Sequence, residues 1–251
     1  YTPHGLSDLK NANLMNRVDT KFLIPISQLP TILEELLGNY TALEIDNQRL
    51  FTYQNTYFDT DDYRFYHMHH QGKLNRYKVR HRHYADTQTS FLEVKFKNNK
   101  GRTIKTRIPY GQIPQSSREY EDILLPTEDP MSQSFLSSSL GSSFSPLQEA
   151  QRGSYQRIAL ANEAEEERLT LDLNLHFQSA DKQSDIHLPQ FFIAELKQNK
   201  YNLRSPFAKL MSRMGIRPSK FSKYCIGCSL VTPELKNNRF KPQLRALSRF
   251  H

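Results

Sequence analysis

Hydrophobic and polar residues alternate with a period of two along much of this chain, which is the pattern of a β-strand with one buried face. The stretch RLTLDLNL, residues 168–175, places leucine at every second position and polar residues between the leucines. Eight such strands with few helices predict an α+β fold built on a large antiparallel sheet or barrel. The predicted strands are residues 17–24, 51–58, 75–84, 90–97, 102–109, 154–161, 167–175 and 190–197.

Two segments carry helix signals instead. SQLPTILEELLG, residues 27–38, offers Ser27 as an N-cap and Gly38 as a stop, and SPFAKLMSRMG begins with Ser205 and ends at Gly215. The Ser-rich residues 127–148 are predicted to form a long loop or a loosely helical insertion. We expect one domain over residues 1–232, followed by a basic tail, residues 233–251, that is either a terminal helix or flexible.

The polar faces of the predicted strands carry an excess of Lys and Arg. In YKVRHRHY, residues 77–84, Lys78, Arg80 and Arg82 share one face, which Arg76 extends. Solvated faces usually mix charges, whereas this bias recurs on nearly every strand. Either an open basic sheet lies on nucleic acid, or a closed barrel points its charges into a polar lumen while helices cover its apolar outside. Two cations ~4 Å apart repel by about 4 kcal/mol at an effective dielectric near 20, so such a lumen needs water, carboxylates or a polyanion.

Composition narrows the choice of partner. The net charge of +8 favours an anionic partner: nucleic acid, a membrane or a phosphorylated small molecule. No run of 18 apolar residues and no signal-peptide pattern is present, so we expect a cytoplasmic protein. The only cysteines, Cys225 and Cys228, are interpreted as buried thiols because a zinc site normally needs a second pair.

Carboxylates on the basic faces suggest a divalent metal. Phosphoryl chemistry usually needs Mg²⁺ or Mn²⁺, which one or two carboxylates and the substrate phosphates hold together. Glu195 and Glu93 are the first candidates, with Asp172 and Asp19 behind them, and a salt bridge is the alternative for each. The HMHH cluster at residues 67–70 is interpreted as a solvated loop or strand edge.

Several segments, taken together and in order, resemble a known family. They are RVDTKFLIP, NTYFDT, GKLNRYKVRHRHY, FLEVK, YQRIAL, RLTLD, FIAELK and SKFSKY, and they extend from about residue 14 to 230. The combination is similar to the VTC domain, the catalytic domain of vacuolar transporter chaperone polyphosphate polymerases, in the triphosphate tunnel metalloenzyme superfamily. The resemblance implies an eight-stranded antiparallel tunnel, flanked by helices, whose basic lumen binds nucleoside triphosphate and polyphosphate with Mn²⁺ or Mg²⁺.

The resemblance also implies roles for individual residues. Lys78, Arg80, Arg157 and Arg168 would neutralise the reacting phosphates, and Glu195 would hold the metal. Glu93 stays a second candidate ligand because of its place on a basic strand face, not because of the resemblance. Other matching positions would bind phosphate; they are Lys21, Lys95, Lys105, Tyr155, Lys220, Ser222 and Lys223. Arg107 and Lys197 join this set because they lie on the same predicted polar faces.

One motif departs from the hydrolytic branches of that superfamily. Those enzymes typically begin with ExExK, whereas Arg17, Asp19 and Lys21 occupy the matching positions here. The resemblance therefore implies transfer of the ATP γ-phosphate to a polyphosphate chain, and it leaves open whether a membrane protein is a further partner. The alternatives are a triphosphatase or polyphosphatase on the same fold and a non-catalytic polyphosphate or nucleotide sensor. A nucleic-acid-binding sheet is disfavoured because few aromatic residues lie on the polar faces.

Overall fold

The computed structural model describes residues 1–8, 18–110, 129–141, 146–200, 202 and 204–250. The strands are β1 (Pro3–His4), β2 (Val18–Pro25), β3 (Thr41–Leu43), β4 (Phe51–Asp59), β5 (Arg76–Tyr84), β6 (Thr89–Lys97), β7 (Thr103–Pro109), β8 (Gln148–Asn162), β9 (Glu167–Ser179), β10 (Asp185–Leu188) and β11 (Phe191–Gln198). The helices are α1 (Leu29–Leu36), α2 (Arg64–His70), α3 (Pro130–Leu140), α4 (Pro206–Arg213), α5 (Lys223–Val231) and α6 (Lys241–Leu247). Arg17 lies outside the described residues.

The sheet confirms the predicted antiparallel strands. Eight strands are hydrogen-bonded in the order β2, β11, β9, β8, β4, β5, β6 and β7, and each pairing along this path is antiparallel. They are the eight strands that the alternation predicts, although β8 begins earlier and β9 ends later. Residues of β2, β5 and β6 line one cavity, so the sheet wraps around an interior. Within the described ranges β2 does not pair with β7, so the barrel description is approximate.

The outer face of the sheet is apolar and is covered by helices, as expected. Alternate residues of β2, β9 and β11, such as Phe22, Leu171 and Phe192, are buried there. Ile32 of α1 and Phe207 of α4 belong to the same cluster. Each large side chain that is fully buried contributes ~1.5–3 kcal/mol by leaving water. This packing commits one face of β2, β9 and β11 to the apolar core and leaves their charged face for the interior.

Helix α5 approaches β8 and β9 closely because it carries a glycine at the contact. A Cβ atom added at Gly227 would lie 2.7 Å from the Phe177 ring of β9 and 2.5 Å from Oε1 of Gln151 on β8. Both distances are too short for a real side chain. Ser222 is the N-cap of this helix and accepts a hydrogen bond from the Cys225 amide at 3.2 Å. The close approach therefore fixes the start of α5 beside the sheet.

Replacing Gly227 with alanine is expected to destabilise the protein, although alanine is the better helix former by ~1 kcal/mol. Overpacking against Phe177 and Gln151 should outweigh that gain and cost about 1–3 kcal/mol net. Urea unfolding of the variant measures the loss. Phe177→Leu should recover part of the loss in the Gly227→Ala background, because the smaller side chain makes room. A Gly227→Ala variant as stable as the parent would contradict the close packing.

The HMHH residues form the end of helix α2, so their interpretation as a loop or strand edge is wrong. The helix begins where the buried Asp59 accepts hydrogen bonds from the amides of Phe65 at 2.8 Å and Tyr66 at 2.9 Å. His70 is buried, and its Nε2 lies 2.7 Å from Oδ1 of Asn238. A carboxylate that precedes the helix by several residues therefore caps it, a signal that local sequence patterns do not show.

The remaining predicted segments include helices α1, α3, α4 and α6. The Ser-rich insertion contains helix α3, with Asp129 as its N-cap; residues 127–128 and 142–145 of that insertion lie outside the described ranges. Ser205 caps α4 as predicted, but the predicted Ser27 cap is wrong because α1 begins after Gln28 without a side-chain cap. The basic tail forms α6, and Phe250 stacks on Phe191 with ring centroids 5.0 Å apart. None of the described helices is both long and apolar enough to cross a bilayer.

Candidate functional site in the lumen

The register of the strands brings the predicted basic faces together in the interior. Lys78 on β5 is opposite Lys95 on β6, and Lys95 is opposite Lys105 on β7. Near the opposite edge of the sheet, Glu195 on β11 is opposite Lys21 on β2. Lys21, Lys78 and Lys95 all border the same cavity. We call this charged interior the lumen.

Glu93 is the first of three carboxylates in the lumen that each contact two cations. Both Nε and Nη2 of Arg80 donate to Oε2 of Glu93, at 2.8 and 2.6 Å, and Lys105 forms an ion pair with the other oxygen. The Glu93 side chain has no exposed surface. Burial opposes its ionisation, but the Arg80 cation, followed by Arg82 and Lys105, lowers the pKa of Glu93 well below its ordinary value. Glu93 is therefore an anion that positions Arg80.

Asp172 on β9 has the same arrangement. Arg157 on β8 binds it through two parallel hydrogen bonds, Nε to Oδ1 at 2.5 Å and Nη2 to Oδ2 at 2.8 Å. Lys223, at the start of α5, donates to Oδ2. Burial raises the pKa of Asp172, but Arg157 and Lys223 lower it further, so the net shift is downward. Lys223 thus enters the lumen from the helix side, and its Nζ lies 4.4 Å from the centre of the Tyr155 ring.

Glu195 is the most accessible of these carboxylates. Its Oε2 lies 2.9 Å from Nζ of Lys197, and its Oε1 lies 3.9 Å from Nζ of Lys21. Its side chain is 16% exposed, against 0% for Glu93 and Asp172. Burial by itself raises the pKa of Glu195, yet Lys197 and Lys21 lower it well below its usual value. A group that enters the lumen can therefore reach Glu195 more easily than the other two.

Two further lysines of the lumen, Lys78 and Lys95, have no carboxylate partner among the described residues. Lys78 donates to the Ser222 hydroxyl at 2.9 Å, and burial lowers its pKa. In the described part of the chain, Lys95 has neither an ion pair nor a hydrogen bond with a side chain. The Arg80 cation is the largest cause that lowers the pKa of Lys95 far below its ordinary value, followed by burial and by Arg82. A bound anion would favour the charged form of Lys95, and this is the electrostatic condition of an anion site.

Tyr155 is held inside the lumen by stacking and by a hydrogen bond. Its hydroxyl accepts from Nη2 of Arg82 at 2.8 Å, and its ring stacks on Tyr53 with centroids 5.2 Å apart. Nε of Arg82 also donates to Oδ1 of Asn55 at 3.0 Å. Arg82 is buried and belongs to the interior, whereas Arg76 borders the cavity that opens at the start of β5. Both residues share the face of Lys78 and Arg80.

That cavity has a volume of about 780 Å³, and nearly all of its charged wall residues are basic. Lys220 borders it with an exposed side chain, next to Ser222, and Lys97 and Arg239 complete the basic wall. Asp19 is the one acidic residue among its described wall residues. Lys21 is tied to this rim, because its Nζ donates to the Phe221 carbonyl at 2.9 Å. The segment that contains Lys220, Ser222 and Lys223 therefore lies at the mouth of the lumen.

Arg168 and Arg107 make none of the lumen contacts described above. Arg168 is half-buried and is paired across the sheet with Lys197 and Ala161. Arg107 is exposed on β7, and its guanidinium lies 4.3 Å from the centre of the Phe91 ring. The structure therefore brings most of the predicted site residues together, while Arg107 contacts an aromatic side chain.

The donor groups fit a divalent ion that arrives with phosphates. Glu195 and Glu93 offer hard oxygen ligands, and Mg²⁺ is commonly held by one or two carboxylates plus substrate phosphates. The residues described here include only one cluster of three groups within ligand distance of one another, His176, Asp185 and His187 on the β9–β10 hairpin. Since the lumen carboxylates are surrounded by cations, the described residues of the lumen do not form a protein cage for a resident ion.

Some contacts of the site were not predicted. Asn55 and Tyr57 point inward beside Arg82 and Arg80, and the Tyr57 hydroxyl accepts from Nη1 of Arg80 at 3.4 Å. Both residues occur in NTYFDT, where the alternation could have placed them on the polar face. The Phe221 carbonyl that binds Lys21 is a backbone group, and no residue pattern indicates it.

The fold and the lumen define the class of protein: a tunnel-type antiparallel sheet whose interior is lined by cations and shared carboxylates. A sequence model of the VTC domain matches residues 16–232, so the chain belongs to the VTC domain family. No curated protein shows significant sequence similarity to it.

One solved structure supports the fold, and two others are less similar to it. The protein HpAC1 from Hippeastrum, proposed as an adenylyl cyclase and described as having a dominant triphosphatase activity, superposes with a TM-score of 0.52 at 16% identity and covers 88% of this chain and 100% of its own. A protein from Vibrio parahaemolyticus proposed as an adenylate cyclase has a TM-score of 0.47 at 12% identity, covering 84% and 99%. The PH1819 protein from Pyrococcus horikoshii OT3 has a TM-score of 0.43 at 11% identity, covering 83% and 97%.

Proposed function

We propose that this protein binds a nucleoside triphosphate in the lumen and transfers its γ-phosphate to the end of a polyphosphate chain. The observation that carries the proposal is that Lys95 and Lys78 have no carboxylate partner among the described residues, beside three carboxylates that are already shared by six cations. A chain of phosphates supplies negative charge at regular intervals, and it can replace the water that a lumen of this kind otherwise needs. Membership of the VTC domain family supports the choice of substrates.

The lumen residues act by positioning and by electrostatics. Arg80 and Arg157, each fixed by a carboxylate, present guanidinium groups to the reacting phosphates, and Lys78 and Lys95 hold the chain. A terminal phosphate oxygen of the chain forms a bond to the γ-phosphorus, and the bond from that phosphorus to the β,γ-bridging oxygen breaks. The electron pair leaves with the nucleoside diphosphate. Mn²⁺ or Mg²⁺, held by Glu195 and the phosphates, would neutralise charge on the transferred group.

Incubation with ATP and Mn²⁺, followed by separation of the products on a gel stained for polyphosphate, tests the proposal. Long product chains that are hydrolysed by acid support the transferase. Free phosphate without chains would instead show a triphosphatase, which is the second candidate because the structurally similar Hippeastrum protein is described as having that activity. Tight binding of polyphosphate without turnover of ATP in Mn²⁺ or Mg²⁺ would show that the protein is a non-catalytic binding module.

Binding of tripolyphosphate is expected to take up a proton and to weaken as the pH rises. The neighbouring cation Arg80 and burial lower the pKa of Lys95 in the free protein. A bound polyanion favours the charged lysine and raises that pKa. Affinity is therefore highest below the free pKa and falls between the free and bound values, by at most about tenfold per pH unit for one proton. Calorimetry in buffers of different ionisation enthalpy measures the uptake.

Lys95→Arg is the matched control for this experiment, since arginine remains charged throughout. The variant should bind tripolyphosphate with less proton uptake and a flatter pH profile. Protonation of the phosphates themselves affects both proteins equally. Identical proton uptake by the parent and by Lys95→Arg would show that Lys95 does not titrate on binding.

A further inference from the structure

The inward-facing positions change character along β5, from cations to an aromatic residue. Lys78, Arg80 and Arg82 are followed on the same face by Tyr84, roughly 20 Å beyond Lys78 at the ordinary rise of a strand. The neighbouring strands change in the same place. Tyr53 on β4 pairs with Tyr84, and Phe91 on β6 is one inward position beyond Glu93. One end of the lumen face is therefore aromatic rather than basic.

These aromatic side chains line a second cavity of about 280 Å³. The rings of Tyr53 and Tyr84 meet edge to face with centroids 4.9 Å apart, and those of Tyr84 and Phe91 do so at 6.0 Å. Arg107 also borders this cavity, with its guanidinium over Phe91. Aromatic rings and guanidinium planes are the surfaces on which nucleobases stack.

The aromatic cavity borders the charged part of the lumen at Tyr53. The guanidinium carbon of Arg82 lies 5.2 Å from the centre of the Tyr53 ring and 5.9 Å from that of Tyr84. The guanidinium of Arg157 lies 4.8 Å from the same Tyr53 ring. Tyr53 is thus shared by the two regions. A ligand that fits both has a flat aromatic group at one end and a chain of anionic groups at the other.

We propose that the cavity lined by Phe51, Tyr53, Tyr84, Phe91 and Arg107 holds the base of the nucleoside triphosphate. The phosphates then extend past Arg82 and Arg157 toward the 780 Å³ basic cavity. This inference rests on the proposed function and adds the orientation of the substrate. Since the attacking and leaving oxygens are in line, the acceptor chain occupies the side of Lys78 and Lys95.

Polar groups in the aromatic cavity suit the edge of a base or a ribose. The Asp86 carboxylate accepts a hydrogen bond from the Thr52 amide at 2.6 Å and retains acceptor capacity. The hydroxyls of Thr87 and Thr89 lie 2.9 Å apart beside it. This set of groups accepts from amino and hydroxyl donors, whereas the Lys-lined cavity offers mainly cations. The two cavities are therefore chemically distinct.

Phe91→Leu tests the inference, because leucine keeps an apolar side chain but removes the stacking surface. We expect affinity for ATP to fall about tenfold while affinity for tripolyphosphate, which has no base, stays within twofold. Calorimetric titration of the full chain with each ligand measures both. Phe91→Tyr should bind ATP as the parent does. Phe96→Leu, the same change on the opposite face of β6, where Phe96 stacks on Tyr77, is the matched control and should change neither affinity.

The outcomes separate this inference from the function on which it rests. Equal loss of ATP and tripolyphosphate binding in Phe91→Leu would show a structural role and overturn the base site. Unchanged ATP binding would overturn it as well, and so would equal affinities of the parent for ATP and tripolyphosphate. Failure of the parent to bind either ligand would overturn the proposed function, and the inference with it.

Discussion

Replacing Glu195 with glutamine is expected to lower turnover of ATP by on the order of 10²–10³-fold while the protein stays folded. Glutamine keeps the shape of the side chain but removes the charge that would hold Mn²⁺ against the phosphates. Glu195 is 16% exposed in the lumen and lies between Lys197 and Lys21, so an entering phosphate chain can draw both cations away from it. Steady-state rates over a series of Mn²⁺ concentrations measure the effect, and the half-saturating Mn²⁺ concentration should rise.

Glu93→Gln is the control for this prediction. Glu93 also contacts two cations, but it is wholly buried and both Arg80 donors bind one of its oxygens. We expect Glu93→Gln to disturb the position of Arg80 and the free energy of unfolding, without changing the Mn²⁺ concentration that half-saturates the rate. Turnover that survives in Glu195→Gln would remove Glu195 from the metal site. A shift of the Mn²⁺ requirement in Glu93→Gln alone would assign the metal to Glu93.

Replacing Lys95 with methionine is expected to stabilise the ligand-free protein and to weaken phosphate binding. The change removes an amine whose protonation Arg80, burial and Arg82 oppose, and it keeps most of the side-chain volume. The free energy of unfolding should rise by about 1 kcal/mol, which corresponds to roughly 2–4 °C in melting temperature for a chain of this size. Loss of a charge-assisted contact should weaken tripolyphosphate binding by about 10–100-fold. Thermal melts with and without tripolyphosphate measure both effects.

Lys100→Met carries the same change of net charge at an exposed position in the β6–β7 turn. It should alter neither the melting temperature nor the affinity by a comparable amount. A Lys95→Met variant that is less stable than the parent would show that Lys95 has a structural partner, and it would argue against an anion site at this position.

The strands could be predicted because their two faces differ in chemistry throughout. Leu169 and Leu171 pack outward against helices, while Asp172 faces inward, so the alternation survives in the sequence as a period of two. The same alternation identified the inward cations, including Lys78 and Arg80. Whether the sheet closes depends on the tilt and stagger of the strands, and these do not appear in the order of residues.

The sequence patterns did not predict helices α2 and α5, and the physical reason differs between the two. Helix α5 is buried on nearly every side, including Tyr224, Cys225 and Cys228, so it lacks the polar stripe by which amphipathic helices are recognised. Helix α2 is short, and its N-terminal amides bond to Asp59, which lies at the end of a strand. Both helices depend on contacts that form only when the sheet is in place.

Each lumen carboxylate contacts two cations. Because of this, the lysines of the lumen tolerate mutation better than its acidic residues do. When Lys223 or Lys105 is lost, the carboxylate that it contacts still has an arginine partner. When Asp172 or Glu93 is lost, two cations become unpaired at once, and breaking a buried ion pair commonly costs ~3–5 kcal/mol. For folding alone, the lumen can therefore exchange its lysines singly during sequence drift, whereas its acidic positions are fixed by the pairs they hold.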